Sequence, residues 1–126
     1  MSNDKSVTEA ELTERAVAPR VTENQMEECI ASVNYINVGE ALEAMGQPIH
    51  PSHRLLTLCI VIMINGFKVV GESACVYAEN YDRDIGQRLA LADAKKKIWP
   101  LMGYALADHQ TYDGSTYWAQ PSERGE

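Results

Sequence analysis

Two adjacent residues near the middle of the chain, Glu72 and Ser73, carry the side chains of a general base and a nucleophile. In an extended strand, however, neighbouring side chains point to opposite faces, so these two groups cannot meet. The chain also contains no GxSxG elbow, no HExxH pair and no P-loop lysine, the spacings that position reactive groups in common enzyme families. We therefore do not expect an enzyme.

Three cysteines and two neighbouring histidines are the candidates for metal or redox chemistry. Cys29, Cys59 and Cys75 are odd in number and lack CxxC spacing, which argues against a disulfide framework and against a thiolate metal site. His50 and His53 flank a proline, with no cysteine or carboxylate close by in the sequence. We expect reduced thiols, loop histidines, and neither a metal nor a cofactor.

Charge is unevenly distributed along the chain. The net charge of −7 argues against duplex DNA as a partner, because DNA affinity depends on contacts between cations and phosphates. The segment from Lys68 to Lys97 has more basic than acidic residues, so the excess of acid lies elsewhere. A site for an anion should lie in this segment, unless its charges only solvate the outer face of a helix.

A β-hairpin at about residues 55–77 would position most of these side chains. Two apolar runs flank Asn65-Gly66, a pair typical of two-residue type I′ turns, and such a turn would pair Ile64 with Phe67. The predicted core face then consists of Leu56, Leu58, Ile60, Ile62 and Ile64 with Phe67, Val69, Gly71, Ser73 and Cys75. The other face, which includes Leu55, Val61, Met63, Val70 and Val76, is too apolar for water. We expect a third strand, a helix or a second subunit to cover it.

A long helix is predicted at about residues 82–98. Asn80 and Asp82 are both suitable N-caps, and three lysines in the last turn match the helix dipole. Gly86, Ala90 and Ala94 recur every four residues and would let the helix lie close to the sheet. Pro100 is expected to end or kink the helix.

The remainder of the chain gives weaker patterns. Thr22 and Gln25 form a capping box, and apolar residues at helical spacing follow, so an N-terminal helix is predicted at about residues 22–33. In residues 34–46, YINV is compatible with a short strand and GEALEAMG with a helical turn, but neither pattern is long, and the segment is interpreted as a variable connector. The two prolines of QPIHPSH then break the chain before the apolar run. We predict a single α+β domain over residues 21–110, between a flexible acidic tail (1–20) and a flexible C-terminal tail (111–126).

No apolar run is long enough to cross a membrane, and the polar N-terminus is unlike a signal peptide. The sequence thus predicts a soluble, cytosolic protein that does not bind membranes.

Beyond these patterns, the run TLCIVIMINGFKVVGESACVYAENYDRDIGQRLALADAKKKIWPLMGYAL resembles a small phage and prophage protein family. That family is known by gene products forty-nine and sixty-six of two podoviruses. Its pattern of NGF, GESAC, EN-aromatic-D, IG and KIWPL-x-GY recurs here nearly throughout, and RVTENQMEECIASVNY resembles its helical lead-in. The resemblance implies a phage origin and a location in the host cytoplasm, and it carries little information on activity.

The same hairpin and helix pattern is more distantly similar to the first-described phage anti-Thoeris sponge family. Members of that family sequester cyclic ADP-ribose isomers, and some also hold cyclic di- or trinucleotides, in pockets between subunits and without cutting the ligand. This resemblance implies a homo-oligomeric counter-defence protein that sequesters a cyclic nucleotide immune signal.

Such a ligand presents base faces, hydroxyls and phosphates, and the matching segment holds candidates for each. Phe67 or Tyr81 would stack on a base, and Ser73 and Asn80 would bond a base or ribose. Arg88 with Lys95, Lys96 or Lys97 would meet the phosphates. Each has a simpler interpretation, for example Phe67 as core, Asn80 as an N-cap and Ser73 as a small residue under the helix.

Two other functions remain open from the sequence. An acidic phage protein could inhibit a host protein by direct binding, imitating nucleic acid or covering a basic cleft. A structural role in the virion is the third possibility.

Overall fold

The computed structural model describes residues 20–112 and, nearer the N-terminus, Ala10. The elements in chain order are α1 (Glu23–Glu28), β1 (Ile30–Asn37), α2 (Val38–Ala44), a 3-10 turn (Pro51–Leu55), β2 (Leu56–Met63), β3 (Lys68–Ala74), a second 3-10 turn (Ala78–Asn80) and α3 (Arg83–Tyr112). The strands form an antiparallel sheet in the order β1-β2-β3, and α3 packs on β2 and β3. The predicted α+β class is confirmed. Apart from Ala10, Arg20, Thr111 and Tyr112, both predicted tails lie outside the described residues.

The hairpin turn has three residues, Ile64 to Gly66, rather than the predicted two. The N–H of Gly66 donates to the carbonyl of Met63 (2.8 Å), and the N–H of Met63 donates to the carbonyl of Phe67 (2.8 Å). Gly66 alone adopts a left-handed conformation (φ 88°), while the side-chain oxygen of Asn65 accepts from the N–H of Phe67 (3.0 Å). This geometry is that of a type I turn followed by a glycine bulge, which suits Asn-Gly as well as type I′ does.

The extra turn residue reverses the predicted core face of β2. A one-residue change of register moves every side chain of a strand to the other face of the sheet. The side chains of β2 that face α3 are therefore Thr57, Cys59, Val61 and Met63, all buried, and not Leu56, Leu58, Ile60 and Ile62. On β3 the prediction is correct for Val69 and Gly71, which are buried, but Phe67 is 53% exposed.

Strand β1 (Ile30–Asn37) includes residues 30–33, which were predicted as the end of the helix over 22–33. Ile30 and Val33 both pack against the core, because a bulge between Ile30 and Ser32 shifts the strand alternation by one residue. The resulting spacing of three imitates one face of a helix. The capping box of Thr22 and Gln25 is confirmed, although α1 ends at Glu28.

Helix α3 lies very close to β3, as the small residues predict. Ala90 and Ala94 are fully buried, and Gly71 of β3 lies against their backbone. A Cβ at Gly71 would overlap the carbonyl oxygen of Ala90, so that a larger residue would force the helix and sheet apart.

The predicted helix boundary near residue 98, with an end or kink at Pro100, is not where α3 ends. The helix continues through Pro100 to Tyr112, so the predicted end is wrong. Pro100 and Lys96, whose carbonyl loses its helical partner, are both exposed, so water can satisfy that carbonyl. None of the helices within the described residues has the length and apolar character needed to cross a membrane.

Residues 34–54, which include the predicted variable connector (34–46), are mostly regular structure. They contain the end of β1, then α2, and then most of the 3-10 turn that leads into β2. Gly39 of α2 is buried against the backbone and side chain of Arg54, where a Cβ would find no room. The elements in this connector are short, and tertiary contacts rather than helical or strand periodicity specify them.

Candidate functional site

A cavity of about 220 Å³ lies where the end of the hairpin meets the first turn of α3. Polar groups reach it from both sides: Thr57 and Ser73 from the sheet, and Asn80, Tyr81 and Asp82 from the segment before the helix. Apolar walls complete it, formed by Leu55, Ala74, Cys75, Ile85, Gly86 and Leu89. Three of the residues that the sequence predicts for a ligand site, Ser73, Asn80 and Tyr81, therefore lie together.

The hydroxyl of Thr57 is the most unusual group in this cavity. Thr57 is 3% exposed, and its Oγ1 atom has no hydrogen-bond partner among the described residues. An unsatisfied buried hydroxyl costs free energy, so native structures seldom keep one without a reason. Thr57 pairs with Ser73 across the strands, which places both hydroxyls on the same face of the sheet. Thr57 was not among the predicted site residues, because a threonine in an apolar strand has no distinctive pattern.

Tyr81 is fixed by the buried residue Asn37. The amide nitrogen of Asn37 donates to the hydroxyl of Tyr81 (3.1 Å) and to the carbonyl of Arg54 (2.9 Å). Its amide oxygen accepts from the N–H of Glu40 and thereby caps α2. Since the hydroxyl oxygen of Tyr81 accepts from Asn37, its hydrogen is available to donate to an acceptor in the cavity.

The first turn of α3 is capped by Asp82, not by Asn80. The carboxylate of Asp82 accepts from the N–H of Ile85 (3.0 Å), whereas Asn80 lies in the preceding 3-10 turn. The side chain of Asn80 is exposed and makes no hydrogen bond within the described part of the chain. The simpler interpretation of Asn80 as an N-cap is therefore wrong, and its amide can bind another molecule.

The predicted cations do not line the cavity. Arg88 is exposed and pairs with Asp84 (2.9 Å), while Lys95 pairs with Glu27 (2.8 Å). Lys97 donates to the carbonyl of Val70 (2.7 Å). Residues 95–97 also lie about 9 to 12 Å further along α3 than Leu89, at the usual helical rise.

Lys97 and Asp93 instead cap the outer edge of strand β3. The carboxylate of Asp93 accepts from the N–H of Glu72 (2.9 Å), and that bond, with help from Lys97, holds the pKa of Asp93 below its ordinary value. The two side chains thus form hydrogen bonds with backbone groups that an edge strand would otherwise present to another chain.

Phe67 lies at the opposite end of the hairpin from the cavity. There it borders a second, mostly apolar groove of about 400 Å³ whose other walls are Cys29, Met63, Ile64, Asn65, Leu101, Met102, Tyr104 and Ala105. Within one chain the structure therefore brings Tyr81, but not Phe67, to the polar cavity.

The histidines and cysteines have structural contacts. The Nδ1 atoms of His50 and His53 accept from the backbone N–H groups of Ser52 and His50, respectively (3.0 and 2.9 Å). Burial raises the pKa of the Cys59 thiol. In the part of the chain that the structure describes, no three His, Cys, Asp or Glu side chains are placed to hold a metal ion.

The cavity suits a flat or ring-shaped neutral group that both donates and accepts hydrogen bonds. Among the residues that the structure describes, Asp82 is the only charged one that lines it, and a carboxylate disfavours a phosphate at this position. Hydroxyls and an amide beside apolar walls are the groups that bind nucleobases and sugars. The volume accommodates one such group, with the rest of a larger ligand outside.

Comparison with known proteins identifies a family. Neither the curated proteins nor the solved structures contain a significant match to the chain. The description of the matching family is "Phage protein (N4 Gp49/phage Sf6 gene 66) family", and the match covers residues 21–110. Because this is well over half of the chain, the protein belongs to the phage protein family of N4 Gp49 and phage Sf6 gene 66.

Proposed function

We propose that this phage protein binds a cyclic nucleotide immune signal, a cyclic ADP-ribose isomer or a cyclic oligonucleotide, and sequesters it without turnover. The observation that carries this proposal is the hydroxyl of Thr57, which has no hydrogen-bond partner among the described residues and belongs to a residue that lines the same cavity as Ser73, Asn80 and Tyr81. A ligand that bonds this hydroxyl would remove the cost of leaving it unsatisfied.

The cavity would hold a base or a ribose of the ligand. Its volume, about 220 Å³, is below the range of about 300 to 1,000 Å³ that encloses a whole drug-sized ligand. The phosphates would remain outside, where Arg88, one residue before the cavity wall at Leu89, is the nearest of the predicted cations along the helix. If Arg88 bound a phosphate instead of the Asp84 carboxylate, only an exposed ion pair would be lost.

Binding without chemistry agrees with the contacts of the reactive groups. The Sγ atom of Cys75 donates to the carbonyl of Tyr77 (3.1 Å), and the carboxylate of Asp82 caps the helix. Neither contacts the hydroxyl of Ser73 in the way that a general base contacts a nucleophile.

Calorimetry with the full chain tests the proposal. Cyclic ADP-ribose isomers, cyclic dinucleotides and cyclic trinucleotides are titrated separately, and chromatography of the released ligand shows whether it has been cut. Saturable binding with an intact ligand is expected for at least one member of the panel. Replacement of Arg88 with Ala should weaken that binding with little change in thermal stability, because the Arg88 side chain is exposed.

A further inference from the structure

The face of the sheet opposite α3 is a second apolar surface. On β2 it presents Leu56, Leu58, Ile60 and Ile62, which are half-buried although α3 packs on the other side. On β3 it presents Val70, which is 44% exposed. This is the face that needs cover, rather than the predicted one that contains Val61 and Met63. The third strand, β1, widens the sheet at its edge and does not cover it.

Strand register arranges this open face in three rows of three residues. The central row is Asn34, Ile60 and Val70. On one side of it lies the row Ile36, Leu58 and Glu72, and on the other side the row Ser32, Ile62 and Lys68. Each outer row therefore has an aliphatic residue at its centre, while the charges on β3 are opposite in sign.

We propose that two copies of this chain pack through their open faces, about a two-fold axis that runs perpendicular to the strands and level with the central row. Such an axis places β3 of one copy over β3 of the other in the opposite direction, with the two sheets about 10 Å apart. The Leu58 row of one copy then lies over the Ile62 row of its partner, and the two central rows meet on the axis.

This symmetry brings Lys68 of each copy to Glu72 of the other. Each residue is two positions from Val70, so at the usual rise both lie roughly 7 Å from the axis, on opposite sides. Within one chain, neither side chain forms an ion pair among the described residues; the ammonium of Lys68 only donates to the carbonyl of Gly66 (3.1 Å). A self-complementary face of this kind is the requirement for a closed dimer.

Pairing of two copies along β3 is the competing mode, and α3 opposes it. Asp93 already accepts from the N–H of Glu72, and Lys97 already donates to the carbonyl of Val70. The outer edge of β3 is thus occupied, whereas among the described elements only β2 and α3 pack extensively on this strand, and α3 lies on its other face. Packing through this face requires no ligand, so it can be tested separately from nucleotide binding.

Sedimentation equilibrium of the full chain, with charge-reversal variants, is the experiment. The wild type is expected to dimerise at micromolar concentration. Lys68→Glu and Glu72→Lys should each weaken the dimer by roughly tenfold, because each replaces two attractive contacts with two repulsive ones. The double variant should restore the wild-type affinity to within about threefold, since it only exchanges the partners.

An equimolar mixture of the two single variants provides a second readout. One chain then carries two carboxylates at these positions and the other two ammonium groups, so the mixture should form heterodimers more tightly than either variant forms homodimers. Lys96→Glu is the matched control, because Lys96 is exposed on α3 and the charge change is the same. Circular dichroism verifies the fold of each variant.

Three outcomes would overturn the proposal. The first is a monomer at every concentration up to about 100 µM, which lies well above the dissociation constants of specific dimers. The second is a dimer that Lys68→Glu weakens no more than Lys96→Glu does. The third is a double variant as weak as the single ones, because the two charges would then not be in contact.

Discussion

Gly86 of α3 lies directly over the hydroxyl of Thr57, so that a Cβ at position 86 would be 3.0 Å from the Oγ1 atom of Thr57. Only the missing side chain lets the helix backbone come this close to a buried hydroxyl that no other described group bonds. Because Gly86 also lines the cavity, a side chain there would narrow the cavity as well as crowd Thr57.

Thr57→Val should stabilise the free protein and weaken its ligand binding. Valine keeps the shape of the side chain but removes a buried, unsatisfied hydroxyl, so the free energy of unfolding should rise by about 1 kcal/mol. Urea denaturation and calorimetry measure the two effects. Thr57→Ser is the control that keeps the hydroxyl and should retain binding. A destabilised Thr57→Val protein would show that the hydroxyl has a partner in the free state.

Gly86→Ala should block the cavity while preserving the fold. Alanine favours a helix over glycine by about 1 kcal/mol, and the close contact with Thr57 opposes that gain, so the net stability change should be small. Gly103→Ala is the matched control, because Gly103 lies in the same helix with nothing within 4 Å of an added Cβ. It should raise the melting temperature and leave binding unchanged. Equal ligand affinity for both variants would place the ligand elsewhere.

Asn80→Ala and Asp82→Ala should separate ligand binding from helix capping. Asn80 does not cap α3, so its replacement should weaken the ligand without a measurable change in unfolding free energy. Asp82→Ala removes the acceptor of the Ile85 N–H and should cost about 1 kcal/mol. Thermal unfolding of the two variants, each also titrated with ligand, gives the comparison. A stability loss with Asn80→Ala as large as that with Asp82→Ala would contradict these assignments.

Protonation of the Asp93 carboxyl should lower the free energy of unfolding at acid pH. The hydrogen bond from the N–H of Glu72 lowers the pKa of its carboxyl below the ordinary 3.8. A depressed pKa in the folded state means that the stabilisation is complete above the ordinary value and is lost as the pH falls through the folded-state value. In Asp93→Asn the amide oxygen can still accept, but it does not titrate. Its urea midpoint should therefore fall less than that of the wild type below about pH 4. Parallel curves for the two proteins would show that this carboxyl is not the cause.

The elements with long or distinctive patterns were predictable from the sequence. The small residues Gly86, Ala90 and Ala94 identified the buried face of α3, and Asn65-Gly66 identified the hairpin. The core face of β2 was not predictable, because Asn-Gly is compatible with turns of two and of three residues, and the choice between them reverses the strand. Both faces of β2 are largely apolar, so hydrophobic alternation could not decide between them.

Strand β1 and the cavity show a different limit. The bulge after Ile30 gives the buried residues of β1 a helical spacing, which only pairing with β2 resolves. Ser73, Asn80 and Tyr81 line the same cavity, and their closeness in the sequence is why they could be considered together. Thr57 and Asn37 were missed, since their roles depend on contacts with residues far along the chain.

Calorimetric titration of wild-type protein and the Thr57→Val variant with cyclic ADP-ribose isomers, cyclic dinucleotides and cyclic trinucleotides tests ligand sequestration most directly. At least one ligand is expected to bind the wild type saturably at micromolar concentration or below, to be recovered intact, and to bind the more stable Thr57→Val variant more weakly. If the wild type leaves every ligand of the panel free at micromolar concentrations, the sequestration proposal is wrong, and inhibition of a host protein becomes the better account.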